Sequence, residues 1–388
     1  MTEPLTMRQL RRFWFPALRL RELTLDDVLL QKARSLESER QGPTTPTCSL
    51  GDLDRLPLEI LREILIDVDL LSLYTVRRVN RRAMHVVDHL PQRRSIITHC
   101  AVALRGIFAI GISSLITCRD LYRALRTPNC RDCNDFGGYI YLFTCRRVCF
   151  VCFTNNIQYL PLNEREAQQV FGLPRGTVRS LPFRMKSMPG QYANTHSSFS
   201  KPLTLFDYEM ALGAGIAFHG SDVNMRRRNL EIARAEAASR RKRTAESESE
   251  SASESASAST PGRGPAMPPP PPLLLVGDAD SKASNPRRFM AIVRAPWINP
   301  FNQAEHGFYC DGCAGEHNQR PFCHRRMYLA DSYDDHIRQC GQIVPETGLH
   351  VGRDGTWTLK ARGPNVPLPF GLEHATNLIY CHPYGNQE

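Results

Sequence analysis

The sequence predicts a mainly α-helical protein with small β elements that are built around clustered cysteines. Three observations predict this class. Apolar residues recur at helical spacing through residues 49–127. Nine of the 13 cysteines fall in two short windows, residues 130–152 and 310–340. Between the windows lies a Ser/Glu/Ala-rich and Pro-rich segment that is too polar to bury a core. With 388 residues, the chain is long enough for two or three units of ordinary size.

Composition and charge exclude several classes of protein. Apolar residues make up 41% of the chain and charged residues 23%, which is enough for a packed core. No stretch reaches the roughly 18 apolar residues that a membrane helix needs. The first ten residues lack the basic-then-apolar order of a secretion signal. The net charge of +10 is compatible with an acidic partner. We therefore expect a protein of the nucleus or cytoplasm, without membrane association, whose reduced, clustered cysteines indicate metal binding.

The first organised unit, residues 49–95, follows a predicted N-terminal tail of residues 1–48 and has the pattern of three short helices. Pro57 suits the first turn of the first helix, where its missing N–H costs nothing. Two further helices are expected before Pro91, which should end the third. A unit of this size has a thin core and often depends on a metal or a partner.

Two motifs in this unit resemble the F-box: the opening Leu-Pro-x-Glu-Ile at residues 56–60, and Leu-x-x-Val-x-x-Val-Asn-Arg at residues 73–81. Many F-boxes carry a tryptophan in the third helix, where this sequence has alanine, methionine and histidine at residues 83–85. The resemblance implies a three-helix module that docks on the Skp adaptor of a cullin–RING ubiquitin ligase. Carried over by motif position, the docking residues would be Leu56, Pro57, Ile60, Leu61, Ile64, Leu73, Val76 and Val79.

The following residues, 96–128, are predicted to form a helical joint between this unit and the first cysteine window. Residues 96–112 are strongly apolar, and apolar residues recur at helical spacing through residues 113–125.

The first cysteine window contains two Cys-x-x-Cys pairs separated by fifteen residues, a spacing typical of a structural zinc site. Each pair forms a tight turn that brings two thiolates to one tetrahedral ion. Residues 129–155 are therefore predicted to be a zinc knuckle, with arginines at 131, 146 and 147 available to offset its negative charge. Cys145 could replace the third ligand, and buried free thiols are the alternative to a metal site. The predicted ligands are Cys130, Cys133, Cys149 and Cys152.

The middle of the chain carries no catalytic constellation. Residues 156–236 are predicted to be a mixed helical region, and residues 237–287 a disordered low-complexity insert. Basic clusters at residues 226–228 and 240–243 have the spacing of a bipartite nuclear-import signal. A solvated charged helix or a nucleic-acid contact would explain the same pattern.

The second cysteine window lies in a predicted C-terminal zinc-binding module and tail, residues 288–388. Two cysteines at Cys-x-x-Cys spacing precede a histidine and a cysteine that share one helix face at i, i+4. The 22 intervening residues exceed the spacing of the short DNA-reading finger, which disfavours nucleic-acid binding. Cys323 or His324 could supply an alternative ligand. The predicted ligands are Cys310, Cys313, His336 and Cys340.

The whole cysteine arrangement also carries a resemblance. The block at residues 128–153 is similar to the cysteine knuckle that follows the F-box in many filamentous-fungal F-box proteins. Similar Cys-x-x-Cys and His-x-x-x-Cys pairs recur near the C-terminal end of those proteins. The resulting fold class is mainly α with small zinc-stapled β elements, holding two structural zinc ions.

The sequence contains no enzyme signature, neither a phosphate-binding glycine loop nor a nucleophile elbow. We therefore interpret the chain as a non-catalytic F-box protein that recruits an unidentified protein substrate to a Skp–cullin–F-box ubiquitin ligase. The alternative is a nuclear zinc-finger protein that binds nucleic acid.

Overall fold

The structure is a computed structural model that describes residues 14–15, 23–28, 30, 49–193, 198–231, 234, 238–239, 285–310, 313 and 325–340, together with the backbone of four short strands beyond residue 340. Most of the predicted insert, residues 240–284, lies outside this description. The chain divides into two compact units. The first contains Met1–Pro161, Phe183–Thr204 and Val276–Glu388, and the second contains Leu162–Pro182 and Leu205–Leu275.

Helices dominate the described residues. Short 3₁₀ turns lie at Leu25–Asp27, Gly51–Arg55 and Ile157–Tyr159. The α-helices are α1 (Leu58–Asp67), α2 (Leu70–Arg77), α3 (Arg81–Asp88), α4 (Pro91–Ala109), α5 (Cys118–Arg126), α6 (Phe150–Asn155), α7 (Glu164–Phe171), α8 (Arg175–Ser180), α9 (Tyr208–His219), α10 (Pro286–Phe289) and α11 (Ala330–Cys340).

The strands are two or three residues long. They are β1 (Trp14–Phe15), β2 (Tyr139–Tyr141), β3 (Arg146–Val148), β4 (Arg184–Lys186), β5 (Gly190–Gln191), β6 (Ser198–Phe199), β7 (Thr204–Phe206), β8 (Ile292–Arg294), β9 (Trp297–Ile298), β10 (Ala304–Glu305), β11 (Phe308–Cys310), β12 (Met327–Tyr328), β13 (Gln342–Ile343), β14 (His350–Val351), β15 (Lys360–Ala361) and β16 (Ile379–Tyr380).

The first three helices begin and end where their capping residues dictate. Asp69 and Asn80 cap α2 and α3, because each side chain accepts a backbone N–H that the helix leaves unpaired. The expectation that Pro91 ends the third helix is wrong. Helix α3 ends at Asp88, and Pro91 is the first residue of α4, a position that needs no backbone donor.

The predicted joint at residues 96–128 contains α4 and α5, but their bounds differ from those of the apolar pattern, since α4 already begins at Pro91. Helix α4 ends at Ala109, because Gly111 adopts a left-handed φ of +77° just beyond it. Helix α5 begins only after Thr117, whose hydroxyl forms a capping box with Asp120. Two carbonyl groups of the turn between these helices accept hydrogen bonds from backbone N–H groups at the start of α2. The turn is thereby bonded to the three-helix unit.

Two small sheets join parts of the chain that are distant in sequence. Strand β2 pairs with β3 on one side and with β8 on the other, all antiparallel. Strand β11 lies between β1 and β12. The predicted tail, residues 1–48, therefore contains residues that belong to the folded unit: Trp14 pairs with Cys310 and stacks on Phe308 at 3.8 Å, and Leu25 is fully buried. Two-residue strands leave no recognisable pattern in the sequence, so residues 14–15 carry no sign of their pairing.

The second unit is a small helical group of α7, α8, α9 and residues 222–231. Asn163 and Glu166 form a capping box at the start of α7, within the region predicted to be mixed helical. Gly172 ends α7 with a φ of +61° and lies against the His219 side chain. Of the helices in the described part of the chain, none combines the length and the apolar character required to cross a bilayer.

Candidate docking face and metal centres

The three-helix unit exposes an unusual number of large apolar side chains. Of eleven such side chains exposed in the described residues, seven fall within residues 53–79. Helix α1 is apolar on two sides: Leu61 and Leu65 are buried, while Ile60 and Ile64 are 49% and 46% exposed. A helix with one buried and one exposed apolar side is typical of an element that is covered on both sides. We call the exposed set the N-terminal apolar face, and its members are Leu53, Leu56, Leu58, Ile60, Ile64, Leu71 and Val79.

The structure separates the predicted docking residues into two groups. Leu56, Pro57, Ile60, Ile64 and Val79 are exposed, and Val76 is half-buried. The other two, Leu61 and Leu73, are each 2% exposed, so they pack in the core of the unit. Their side chains form part of the core on which the N-terminal apolar face lies. Leu53, Leu58 and Leu71 are also exposed, although the carried-over motif positions did not include them.

Ion pairs attach this unit to the helices that follow. The Asp88 carboxylate accepts two hydrogen bonds from Arg77, at 2.7 and 2.8 Å, and one from Arg93 in α4 at 2.6 Å. Arg119 of α5 pairs with Glu63 and Asp67 of α1. These ion pairs therefore connect α1, α2 and α3 to α4 and α5.

We expect Asp88→Asn to lower the free energy of unfolding by about 1–3 kcal/mol, because two guanidinium groups lose a charged acceptor in a partly buried network. Urea denaturation followed by circular dichroism measures this change. The matched control is Asp52→Asn, since the Asp52 carboxylate is 88% exposed in its pair with Arg55. Equal effects of the two substitutions would contradict the role assigned to Asp88.

The first cysteine window folds into one compact cluster. Its four sulfur atoms all lie within 4.8 Å of one another, and Cys133 Sγ and Cys149 Sγ are 3.6 Å apart. Cys130 and Cys133 lie on a turn before β2, and Cys149 caps α6, where its sulfur accepts the backbone N–H of Cys152 at 3.4 Å. The structure thus brings together the four thiols predicted from the spacing.

The spacing of the sulfur atoms fits a tetrahedral metal ion. Four sulfurs at about 2.3 Å from one zinc ion would lie about 3.8 Å from each other. A disulfide requires about 2.05 Å, so the 3.6 Å between Cys133 and Cys149 excludes one there. The crowding also perturbs the thiols themselves: hydrogen bonds from Cys133, Cys149 and Cys152 lower the pKa of Cys130, whereas the bond to Cys130 raises the pKa of Cys152. Only a cation can let all four ionise together.

Polar groups surround this cluster. The Asp132 carboxylate, inside the first Cys-x-x-Cys turn, accepts hydrogen bonds from Asn156, Gln158 and the Tyr159 hydroxyl. Burial raises the pKa of Asp132. These bonds fix the turn against the segment that follows α6, in the manner of the outer shell of a metal site.

Cys145 does not belong to the cluster, so the alternative in which it replaces Cys149 is wrong. It lies in the turn between β2 and β3 with a left-handed φ of +50°. Its thiol is buried, and that burial raises its pKa. A buried thiol with a raised pKa is inert and packs as a small apolar group.

The second cysteine window forms a cluster of Cys310, Cys313 and His336, all buried. Cys313 Sγ lies 3.6 Å from His336 Nε2, and Cys310 Sγ accepts a hydrogen bond from the Tyr333 hydroxyl at 3.1 Å. The Tyr328 ring stacks on the His336 ring with centroids 4.1 Å apart. The fourth predicted ligand, the Cys340 side chain, and both alternatives, Cys323 and His324, lie outside the described residues.

Arg147, which the sequence suggested as a charge partner of the thiols, has a different role. It is 3% exposed, and its guanidinium donates to the carbonyl groups of Ala124, Gly137, Ala295 and Pro296. Burial lowers the pKa of Arg147 to about 10, which still leaves it cationic at neutral pH. The side chain therefore joins α5, the first cysteine cluster and the segment after β8.

The first basic cluster is helical. Arg226 pairs with Asp222 and Arg228 with Glu231, all partly or fully solvated. This arrangement is that of a charged helix surface. The second basic cluster, residues 240–243, lies outside the described residues.

Comparison with known proteins identifies one domain. Residues 53–95 match the F-box domain, which confirms the resemblance stated for the first three helices. The cysteine clusters lie beyond the matched residues. Neither the curated proteins nor the solved structures contain a match to this chain.

Proposed function

We propose that this protein is the substrate-recruiting subunit of a Skp–cullin–F-box ubiquitin ligase and binds the Skp adaptor through its N-terminal apolar face. The observation that carries the proposal is that the residues matching the F-box domain also contain seven of the eleven large apolar side chains exposed in the described residues. An apolar face of this kind marks a protein–protein contact. F-box domains typically bind the Skp adaptor, and F-box proteins are generally non-catalytic.

A substrate receptor has to hold its substrate at a fixed position relative to the ligase, because the chemistry takes place on other subunits. The Asp88 and Arg119 networks and the Arg147 side chain supply such a connection from the F-box to the first cysteine cluster. The substrate would then be read by the remainder of the chain, in the nucleus or the cytoplasm.

Both cysteine clusters would hold structural zinc ions. Cys130, Cys133, Cys149 and Cys152 supply four soft ligands, which zinc prefers in closed sites. Cys310, Cys313 and His336 supply three, and Cys340 would be the fourth. A four-ligand site leaves no open position for catalysis. In having an F-box followed by such a knuckle, the chain resembles filamentous-fungal F-box proteins.

The test is co-purification of the full chain with the Skp adaptor in zinc-containing buffer. Ile60 and Ile64 are the best positions, since both are exposed and neither caps the helix. Each buried isoleucine contributes about 1.5–3 kcal/mol to an interface. We therefore expect Ile60→Ser with Ile64→Ser to weaken adaptor binding on the order of 100-fold or more.

The control for this test is Phe301→Ser, which removes a large apolar side chain that is 83% exposed but lies outside the F-box. It should bind the adaptor like the wild type. Absence of binding by a folded, zinc-loaded wild type would refute the ligase proposal.

A further inference from the structure

The first metal centre would concentrate negative charge that residues 130–152 do not neutralise. One zinc ion with four thiolates carries a net charge of −2. Asp135 adds a further negative charge, because its Oδ2 atom lies 3.5 Å from Cys133 Sγ. A metal-bound Cys133 sulfur would carry negative charge, so two anionic groups would face each other across this contact, which disfavours the loaded state.

A cation from a remote part of the chain lies at this contact. Arg326 Nη2 is 3.2 Å from Asp135 Oδ2, the same oxygen that faces Cys133. The Arg326 side chain is only 19% exposed, so solvent screens this interaction weakly. By contrast Arg131, which sits inside the first Cys-x-x-Cys turn, is exposed. The nearest arginine in sequence is therefore not the one that the fold places against the cluster.

The position of Arg326 is fixed by packing on both sides. The preceding Arg325 guanidinium lies 4.7 Å from the centroid of the Phe150 ring. In sequence, Phe150 lies between Cys149 and Cys152, the last two cysteines of the cluster. The following Met327 occupies the space above Gly138, where any Cβ would lie 2.2 Å from the Met327 sulfur. Met327 and Tyr328 pair with β11. The segment that carries Arg326 is thus held against the first cluster over three consecutive residues.

We propose that Arg326 is a positioning residue of the first metal centre, which neutralises Asp135 and thereby stabilises the metal-bound thiolates. The centre is then composite: its four ligands come from residues 130–152, and its charge partner comes from the C-terminal segment. This inference rests on the proposed zinc site and adds to it a residue that the ligand spacing does not reveal. Outer-shell groups of this kind typically change metal affinity 10–100-fold.

The experiment is a competitive chelator titration of the zinc-loaded full chain, with zinc release and hydrogen exchange of residues 130–155 followed together. We expect Arg326→Gln to release the zinc of the first centre at a 10–100-fold lower chelator concentration. Arg326→Lys, which keeps the positive charge, should restore much of the affinity. Asp135→Asn, which removes the repulsion, should make Arg326→Gln nearly harmless in the double variant.

The control is Arg131→Gln, the same change at the exposed arginine within the knuckle, which should leave the titration unchanged. If Arg326→Gln behaves like the wild type, or if glutamine and lysine at position 326 are equally damaging, the proposal for Arg326 fails while the zinc site stands. If the wild type binds no metal at the first cluster, the zinc site and the role of Arg326 fall together. A purely structural role would change hydrogen exchange without the rescue by Asp135→Asn.

Discussion

Removal of the zinc ion proposed for the first centre is expected to unfold the residues between Cys130 and Cys152, with the largest loss of stability of any single perturbation of this protein. Structural zinc contributes about 10–16 kcal/mol in small zinc-binding domains. The net stability of a whole domain is only about 5–15 kcal/mol. Without the ion, strands of three residues and a helix of six cannot keep the fold. Chelator treatment should therefore abolish hydrogen-exchange protection at residues 130–155.

Cys133, a predicted ligand, and Cys145, a buried thiol outside the cluster, provide a matched pair of substitutions. Cys133→Ser should reduce the zinc content from the proposed two ions per chain to one, measured by elemental analysis. Cys145→Ser makes the same chemical change at a buried thiol outside the cluster, so the zinc content should remain at two. Retention of protection after complete chelation would show that the thiols form an ordinary core.

Arg147→Met should be the most damaging substitution outside the metal ligands. Four carbonyl groups lose their donor at a site that is 3% exposed. Each buried group that is left unpaired costs about 1–3 kcal/mol, although such costs do not add fully. We expect a loss of at least about 3 kcal/mol in the free energy of unfolding, measured by urea denaturation of the zinc-loaded protein.

Arg131→Met is the control for this prediction, because it makes the same change in the same knuckle at an exposed position. Its effect should stay within about 0.5 kcal/mol. If the Arg147 variant were as stable as this control, the guanidinium would not join the three segments as described.

Short-range patterns in the sequence predicted much of the fold. The F-box helices were identified from the Leu-Pro-x-Glu-Ile opening, and the joint from apolar periodicity. The first cysteine cluster was identified from pair spacing, because two Cys-x-x-Cys turns at that separation have few other uses. In each case the residues that carry the signal lie within a few turns of one another.

The contacts that were missed are long-range ones. No local pattern connects Arg326 with Asp135, or Arg147 with Pro296. The burial of Leu61 beside the exposed Ile60 depends on which side of α1 faces α5, and a helix with apolar residues on two sides does not encode that choice. An arginine in a sequence indicates a positive charge. Which groups accept its hydrogen bonds depends on the folded chain.

The pairing of β2 with β8 has a consequence for synthesis of this protein. About 150 residues separate the two strands, and nearly 300 separate Trp14 from its partner Cys310. At the usual 5–20 residues per second, the ribosome needs on the order of 10 s after completing the first cysteine window to deliver β8. During that interval the knuckle strand has an open edge, its aromatic side chains are uncovered, and Arg147 lacks two of its four acceptors. A chain that stopped before residue 292 would therefore lack both the strand that pairs with β2 and two of the four carbonyl groups that accept from Arg147.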